Sequence, residues 1–463
     1  MPFNWKEGLK LSALGVSALV CAGALGATGF IDVFTSSAAV QTAPASVSAS
    51  LENSQAQLTC VPHGLAADGA DTIAGDLQVL EDGGQWVDEL QTLSTNGPGS
   101  QVDQKNAKSL RDPVRIQVRT QADTRVYTSA ITQSHTAHDN GLAWSRCGAP
   151  TMEGWFAGAS TAVGNQSVLV LANPSDAAAN VSLQAWTSVG PLDIHPSVVV
   201  PKLSSVRVNL ASYFPQEEAL AVHARVDGPT LGMSLLTTSV AGVAPQGMNA
   251  TGPAAQLERK LVFPGFMATN SHPRLRLVNP GQKDAVVTVQ ALTPKGMQDV
   301  PGATDLTVDA GAVLELNMDG LPGPHVGITV DSSVPVTGVL TADVEGKRNE
   351  DGDAVSDRGV WVPAAASKNL GGLVPDLAGL NAELSLVNPA GEPAHARVMG
   401  KPVTVPANST VTVAAKGNVQ VSADRPLFGA VTLTKTGDQP AIASLPLTDP
   451  TQLNPPLQLN ITR

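Results

Sequence analysis

The sequence predicts an all-β protein: an N-terminal transmembrane helix followed by tandem immunoglobulin-like β-sandwich modules. Three observations point there. The phrase Leu-x-Leu-x-Asn-Pro, or a close variant, stands at residues 169–174, 275–280 and 384–389, and its prolines, Pro174, Pro280 and Pro389, are 106 and 109 residues apart. That spacing suits a sandwich module of roughly 100 residues. The apolar residues are mostly Val, Ala and Leu, cut into short runs by 43 Gly and 34 Pro, which is the texture of strands and turns. Residues 11–31 carry no charge, matching the roughly 20 residues that cross a hydrocarbon core as a helix.

In chain order, Lys6 and Lys10 precede the apolar run and the next Lys or Arg is Lys105. The positive-inside rule therefore puts residues 1–10 in the cytoplasm, an anchor at 11–34 in the cell membrane and the bulk of the chain outside. Secretion after signal cleavage is the competing reading. A signal peptide's apolar region runs about 7–15 residues, whereas this one continues into Phe30, Ile31, Val33 and Phe34. Ala18-Leu19-Val20 lacks the small residue expected beside a lipidated cysteine, so Cys21 is read as an ordinary helix residue. Residues 35–55, rich in Ala, Ser and Thr, read as a stalk. Cys60 and Cys147 both fall on the outer, oxidising side and are expected to form one disulfide.

Four modules follow: a degenerate N-terminal β module at 56–148, then repeats at 149–256, 257–357 and 358–463, the last with a C-terminal tail. Each repeat is expected to open on an aromatic strand, Trp155-Phe156-Ala157-Gly158, Leu261-Val262-Phe263-Pro264-Gly265 or Val360-Trp361-Val362-Pro363. In the Leu-x-Leu-x-Asn-Pro phrase the leucines face one side, Pro ends the strand, and Asn bonds the backbone ahead to start a turn. Next come what read as hairpins in one register: Val198-x-Val200 into Val206-x-Val208, Leu306-x-Val308 into Leu314-x-Leu316, Val403-x-Val405 into Val411-x-Val413. A further strand pair is expected at 222–226 with 233–236, 326–330 with 336–340 and 419–421 with 430–433. Residues 114–118 with 126–129 look like the same pair in the N-terminal module. With strands at 181–186, 285–292 and 394–398 the inventory is that of an immunoglobulin-like sandwich. The alternative is a β-propeller-like closed repeat, but blades usually need about 40–50 residues, so the sequence favours sandwiches in a row.

Cys60, Cys147, Trp155-Phe156-Ala157-Gly158 and Leu171-Ala172-Asn173-Pro174 resemble an actinobacterial family of large secreted or membrane-anchored proteins of unknown function. The resemblance implies a cell-envelope location and supplies no activity or catalytic residue.

A net charge of −12 without a basic cluster excludes sequence-independent grip on nucleic acid. No Gly-x-Ser-x-Gly, Walker, Rossmann or zinc-protease signature occurs. Lys435-Thr436-Gly437 matches one motif of penicillin-binding enzymes, but no Ser-x-x-Lys accompanies it, so it reads as a strand end and turn. His135, His138 and Asp139 can meet His63 across the expected disulfide, which makes the three histidines weak metal candidates. Residues 345–357, with Glu350, Asp351, Asp353 and Asp357, resemble a calcium-holding loop without its ligand spacing and read as a solvated loop. Residues 92–108, around Asn96-Gly97-Pro98-Gly99, read as a long exposed loop. No catalytic residue and no cofactor is assigned. The function expected is that of a non-catalytic envelope protein whose β modules bind an envelope protein or glycan. An accessory subunit of a membrane-bound wall or glycan assembly enzyme is the alternative, since Gly15, Gly23 and Ala27 share a helix face. A wall hydrolase or metal-dependent enzyme is a remote third reading.

Overall fold

The computed structural model describes residues 45–49, 54–63, 76–82, 87–95, 97–102, 108, 110–120, 125–136, 139–254, 256–267, 271–321, 325–348, 354–375, 377–449 and 457–461. The chain divides into two units, one formed by residues 1–50 with 456–463 and one by 51–455. In the first, Ala45–Ala49 pairs antiparallel with Leu457–Ile461, so part of the expected stalk is strand. The anchor at 11–34 and the tail at 1–10 lie outside the described residues. Among the described residues, no helix is long and apolar enough to cross a membrane.

The second unit is all-β, as its Val-rich runs of period two require. Repeat 1 shows how each module is built. One sheet takes the order Ser204–Asn209, Asn165–Asn173, Gly232–Ala241, Ala244–Thr251. The other contains Gly190–Pro191, Ala179–Thr187, Leu220–Asp227 and Glu153–Ala159, with Ser197–Val200 also paired to Ala179–Thr187. Along Ala179–Thr187 buried and exposed residues alternate until the strand meets the neighbouring repeat. Phe156, Leu169, Leu171, Leu183, Val222 and Leu235 fill the space between the sheets, each such burial contributing about 1.5–3 kcal/mol. Repeats 2 and 3 repeat the plan around cores centred on Phe263 and Leu386. The N-terminal module has a sheet of Ser54–Cys60, Val114–Thr120, Val87–Ser94 and Gly97–Gln101, and a sheet of Asp76–Asp82, Arg125–His135 and Asn140–Arg146.

Several expected pairings are corrected. Ser197–Val200 and Ser204–Asn209 do not pair with each other; the first joins Ala179–Thr187 and the second Asn165–Asn173, in the opposite sheet. The same holds for Leu306–Val308 and Ala312–Asn317, and for Lys401–Val405 and Ser409–Ala414. Each connection is therefore an arch between sheets rather than a hairpin. The third residue of every arch is left-handed, Leu203 at φ 49°, Gly311 at 73° and Asn408 at 49°, which re-aims the chain. The strand pair expected next is likewise a crossing between sheets. In repeats 2 and 3 it is one unbroken strand, Val326–Arg348 and Asn418–Lys435, serving both sheets in turn.

Trp361 does not open repeat 3. It ends the strand Ala354–Trp361, fills repeat 2's core edge-on to Phe266 at 5.0 Å, and donates its indole N–H to the Gly265 carbonyl at 3.0 Å. Repeat 3 opens instead on Ser367–Leu373, so the boundary set at 357/358 cuts a strand. The expected loop at 92–108 is corrected over its first part, where Val87–Ser94 and Gly97–Gln101 form a hairpin with Leu93 buried; residues 96 and 103–107 lie outside the described residues.

Each module ends in an inner strand: Asn140–Arg146, Ala244–Thr251, Ala354–Trp361 and Ala441–Pro446. Each packs against the next, and the fourth packs against the first. Ile131, Leu142 and Trp144 of the N-terminal module accordingly share one apolar cluster with Leu384, Leu433 and Ala443 of repeat 3. Two-sheet modules thus coexist with a closed order of contacts, combining features of both sequence alternatives.

Candidate functional site at the meeting of the inner strands

The polar centre of this meeting is Asp357, which is fully buried. Its Oδ2 accepts the backbone N–H of Leu142 at 3.0 Å and of Ile442 at 2.7 Å, and its Oδ1 that of Met248 at 3.3 Å. One side chain of repeat 2 thereby ties the inner strands of the other three modules. Room for it is made by glycine: a Cβ on Gly141 would stand 2.1 Å from Asp357 Oδ1, and one on Gly247 would stand 2.9 Å from the same atom. Both glycines have positive φ, 132° and 126°. Burial raises the carboxyl pKa well above the usual carboxylate value, and the backbone donors oppose that shift.

Around Asp357, Asn140 and Gln246 also join modules, while Arg358 is held within repeat 2. Asn140 donates to the carbonyls of Ser356 at 3.1 Å and Pro440 at 3.0 Å. Gln246 donates to the Ala354 carbonyl at 2.9 Å and accepts from the Ser356 hydroxyl at 2.8 Å. Arg358 holds Asp343 through two parallel bonds of 2.7 and 3.0 Å, and that pairing keeps its pKa up against burial. The sequence places Asp357 in a solvated, calcium-like loop. Instead, residues 345–348 and 354–357 belong to two paired strands, with 349–353 outside the described residues.

The metal candidates are placed separately. His63 is buried, its Nε2 lies 3.3 Å from the Thr237 carbonyl, and burial lowers its pKa to about 4. His135 is engaged at both ring nitrogens, by Asn140 Oδ1 at 2.9 Å and Gln133 Nε2 at 2.8 Å. His138 lies outside the described residues. Among the described residues no group of three or more His, Cys, Asp or Glu is positioned to hold a metal. Lys435 ends a strand, with Thr436 and Gly437 in the turn after it.

The Asn-Pro phrase has the mechanical role expected, and more. Asn173 Nδ2 donates to the carbonyls of Ala177, Val200 and Pro201 at 2.8, 3.1 and 3.0 Å, while its Oδ1 accepts from Ser175 N at 3.0 Å. Asn279 repeats this with Lys283, Val308, Asp309 and Gly281. Asn388 repeats it with Glu392, Val405, Pro406 and Ala390. Each asparagine stands in one sheet and bonds the end of a strand in the other, so it ties its module's layers together. In the N-terminal module, Cys60 and Cys147 form the expected disulfide.

Residues 102–424 match a family of unknown function, DUF5719. The chain belongs to that family. No curated protein matches it. The DUF5719 match takes in Asp357, both glycines that admit it and all three asparagine ties, and it begins after Cys60. Asp357 escaped sequence reasoning because its partners are backbone amides; the only written signals are Gly141 and Gly247, each far from it in the chain.

Proposed function

We propose that this DUF5719 protein is a non-catalytic scaffold of the cell envelope, from an actinobacterial source, held by a membrane anchor at residues 11–34 with its β modules on the extracytoplasmic face. The modules, immunoglobulin-like in their two-sheet plan, close on one another in a propeller-like order and present their end loops to an envelope protein or glycan. The observation that carries this reading is Asp357. Both oxygens of this buried carboxylate are spent on backbone amides of three other modules, a use that makes a rigid platform. The cystine suits an oxidising compartment. Val163, Val189 and Val243 stand at turn tips of repeat 1, 95%, 92% and 80% exposed, as apolar contacts for a partner.

Cross-linking capture from intact cells tests this, comparing the full chain with one that begins near Ala43. A partner captured by both, and lost on Val163→Ser with Val243→Ser, supports binding by the modules. Capture by the full chain alone favours the accessory-subunit reading, in which the helix face of Gly15, Gly23 and Ala27 makes the contact.

A further inference from the structure

Arg146 takes no part in the ties between modules. It ends the inner strand of the N-terminal module, pinned by pairing with Ser129 on one side and by the disulfide at Cys147 on the other. Arg146 lines two cavities. One, of ≈ 20 Å³, lies toward repeat 3 among Leu58, Tyr127, Gly371 and Leu445. The other, of ≈ 60 Å³, lies toward repeat 1 among Thr59, Val61, Leu231, Gly232 and Ser234. Exposed Ala149 also lines the larger one, so that cavity meets solvent.

Two other half-buried arginines, Arg276 and Arg358, are compensated. Arg276 faces Glu315 at 3.2 Å and donates to several carbonyls of the neighbouring repeat, and Arg358 holds Asp343. Arg146 makes no hydrogen bond and no ion pair among the described residues, although the groups around it desolvate it enough to lower its pKa to about 10. A guanidinium brings five donors and keeps its charge, so one that stands half-buried at a cavity without a protein partner is disposed to take an anion.

The walls of the larger cavity narrow the choice of anion. The hydroxyls of Ser145, Thr151 and Ser234 donate to the carbonyls of Val61, Glu153 and Thr251. Their protons are spent, so they turn only lone pairs toward an occupant. That leaves the guanidinium fork as the donor. A planar group with two acceptor oxygens matches the fork, whereas a tetrahedral oxyanion would press its further oxygens against hydroxyl lone pairs. A cavity of ≈ 60 Å³ exceeds the roughly 10–15 Å³ that one water needs, which leaves room for the head of a small carboxylic acid. We propose that Arg146 anchors a carboxylate-binding site in the cleft between the N-terminal module and repeat 1. This inference rests on Arg146 and its cavity and does not depend on the scaffold reading.

The test is thermal unfolding of the full chain in sodium formate and sodium acetate against sodium chloride at matched ionic strength, with Arg146→Met run in the same salts to remove general salt effects. Formate and acetate should raise Tm by on the order of 2 °C over chloride in the native protein, as a ligand that binds only the folded state does. Arg146→Met should abolish the difference. Arg146→Lys, which keeps the charge and loses the fork, guards against misfolding and should keep less than half of it. A crystal soaked in formate should show the anion within hydrogen-bond distance of both Nη atoms. Equal responses in the native protein and Arg146→Met, or formate found only elsewhere as an adventitious ion, would overturn the site. A short peptide with a free C-terminus, compared with its amide, separates the sources. Displacement of acetate by the free acid alone assigns the site to a chain terminus, and binding of formate and acetate without either peptide assigns it to a free small acid.

Discussion

The N-terminal module joins its two sheets with a cystine, while each of the three repeats joins them with one buried asparagine. Cys60 ends a strand of one sheet and Cys147 follows a strand of the other. Asn173, Asn279 and Asn388 do the corresponding work by giving two hydrogen bonds apiece across the layers and one to the local turn. The repeats carry their ties in a short local phrase, so each can be copied with its module. The N-terminal module, which lacks the phrase, depends on a bond between residues 87 positions apart and on the redox state around it. Asp357 differs from both, since it occurs once and ties modules rather than sheets.

The contrast breaks most sharply at the cystine. Replacing Cys60 and Cys147 with alanine removes a link worth about 4–5 kcal/mol for a loop of that length in the chain-entropy treatment. Hydrogen exchange should then rise first in the N-terminal module, with the repeat cores still protected; uniform loss of protection would show that the module has no separate stability. Asp357→Leu strips the acceptors from three buried amides and should cost about 4 kcal/mol. Its mark is a loss of cooperativity between modules in urea unfolding, which a tie inside one module would not give.

A third expected effect is pH dependence. The folded-state pKa of His63 lies near 4, below its ordinary 6.5, so the unfolded chain takes up the extra proton between those values. Stability is full above pH 6.5 and is lost as pH falls toward 4, by on the order of 3 kcal/mol. Asp357 acts in the other direction. Its raised pKa means that the folded chain binds this proton more tightly than the unfolded chain does, so its contribution is largest in acid and falls as pH rises through the raised value. Chemical unfolding across pH 4–8 should show a flatter acid limb in His63→Gln and the opposite change in Asp357→Asn. The smallest effect, about 2 kcal/mol, is expected for Asn279→Ala, confined to repeat 2 in hydrogen exchange. Asn279→Asp should cost more, because it sets a carboxylate against three carbonyls.

Much of the fold was legible because its strands are short, Val-rich and spaced alike in each repeat. The cystine and the turn-forming asparagine could also be read, the first from compartment and count, the second from the backbone demands of Asn-Pro. Ladder partners could not. Val198-x-Val200 and Val206-x-Val208 alternate in the same way whether they pair with each other or with strands in opposite sheets. The difference lies in the single left-handed residue between them, which at Leu203 carries no glycine to announce it. Trp361 misled because an aromatic before proline opens one module as readily as it closes another. The meeting of the inner strands was hidden because its chemistry is backbone amide, which every sequence carries.

The inner strands are also the places where these sheets stop. A strand at a sheet's end offers unpaired amides to any other extended chain, and four such edges on one molecule invite self-association. Here each edge faces a neighbouring module, and Asp357 takes the amides of Leu142, Met248 and Ile442 that a foreign strand would otherwise find. The carboxylate that unites the modules is therefore also a guard of solubility, and a molecule opened at Asp357 would be expected to polymerise before it unfolds.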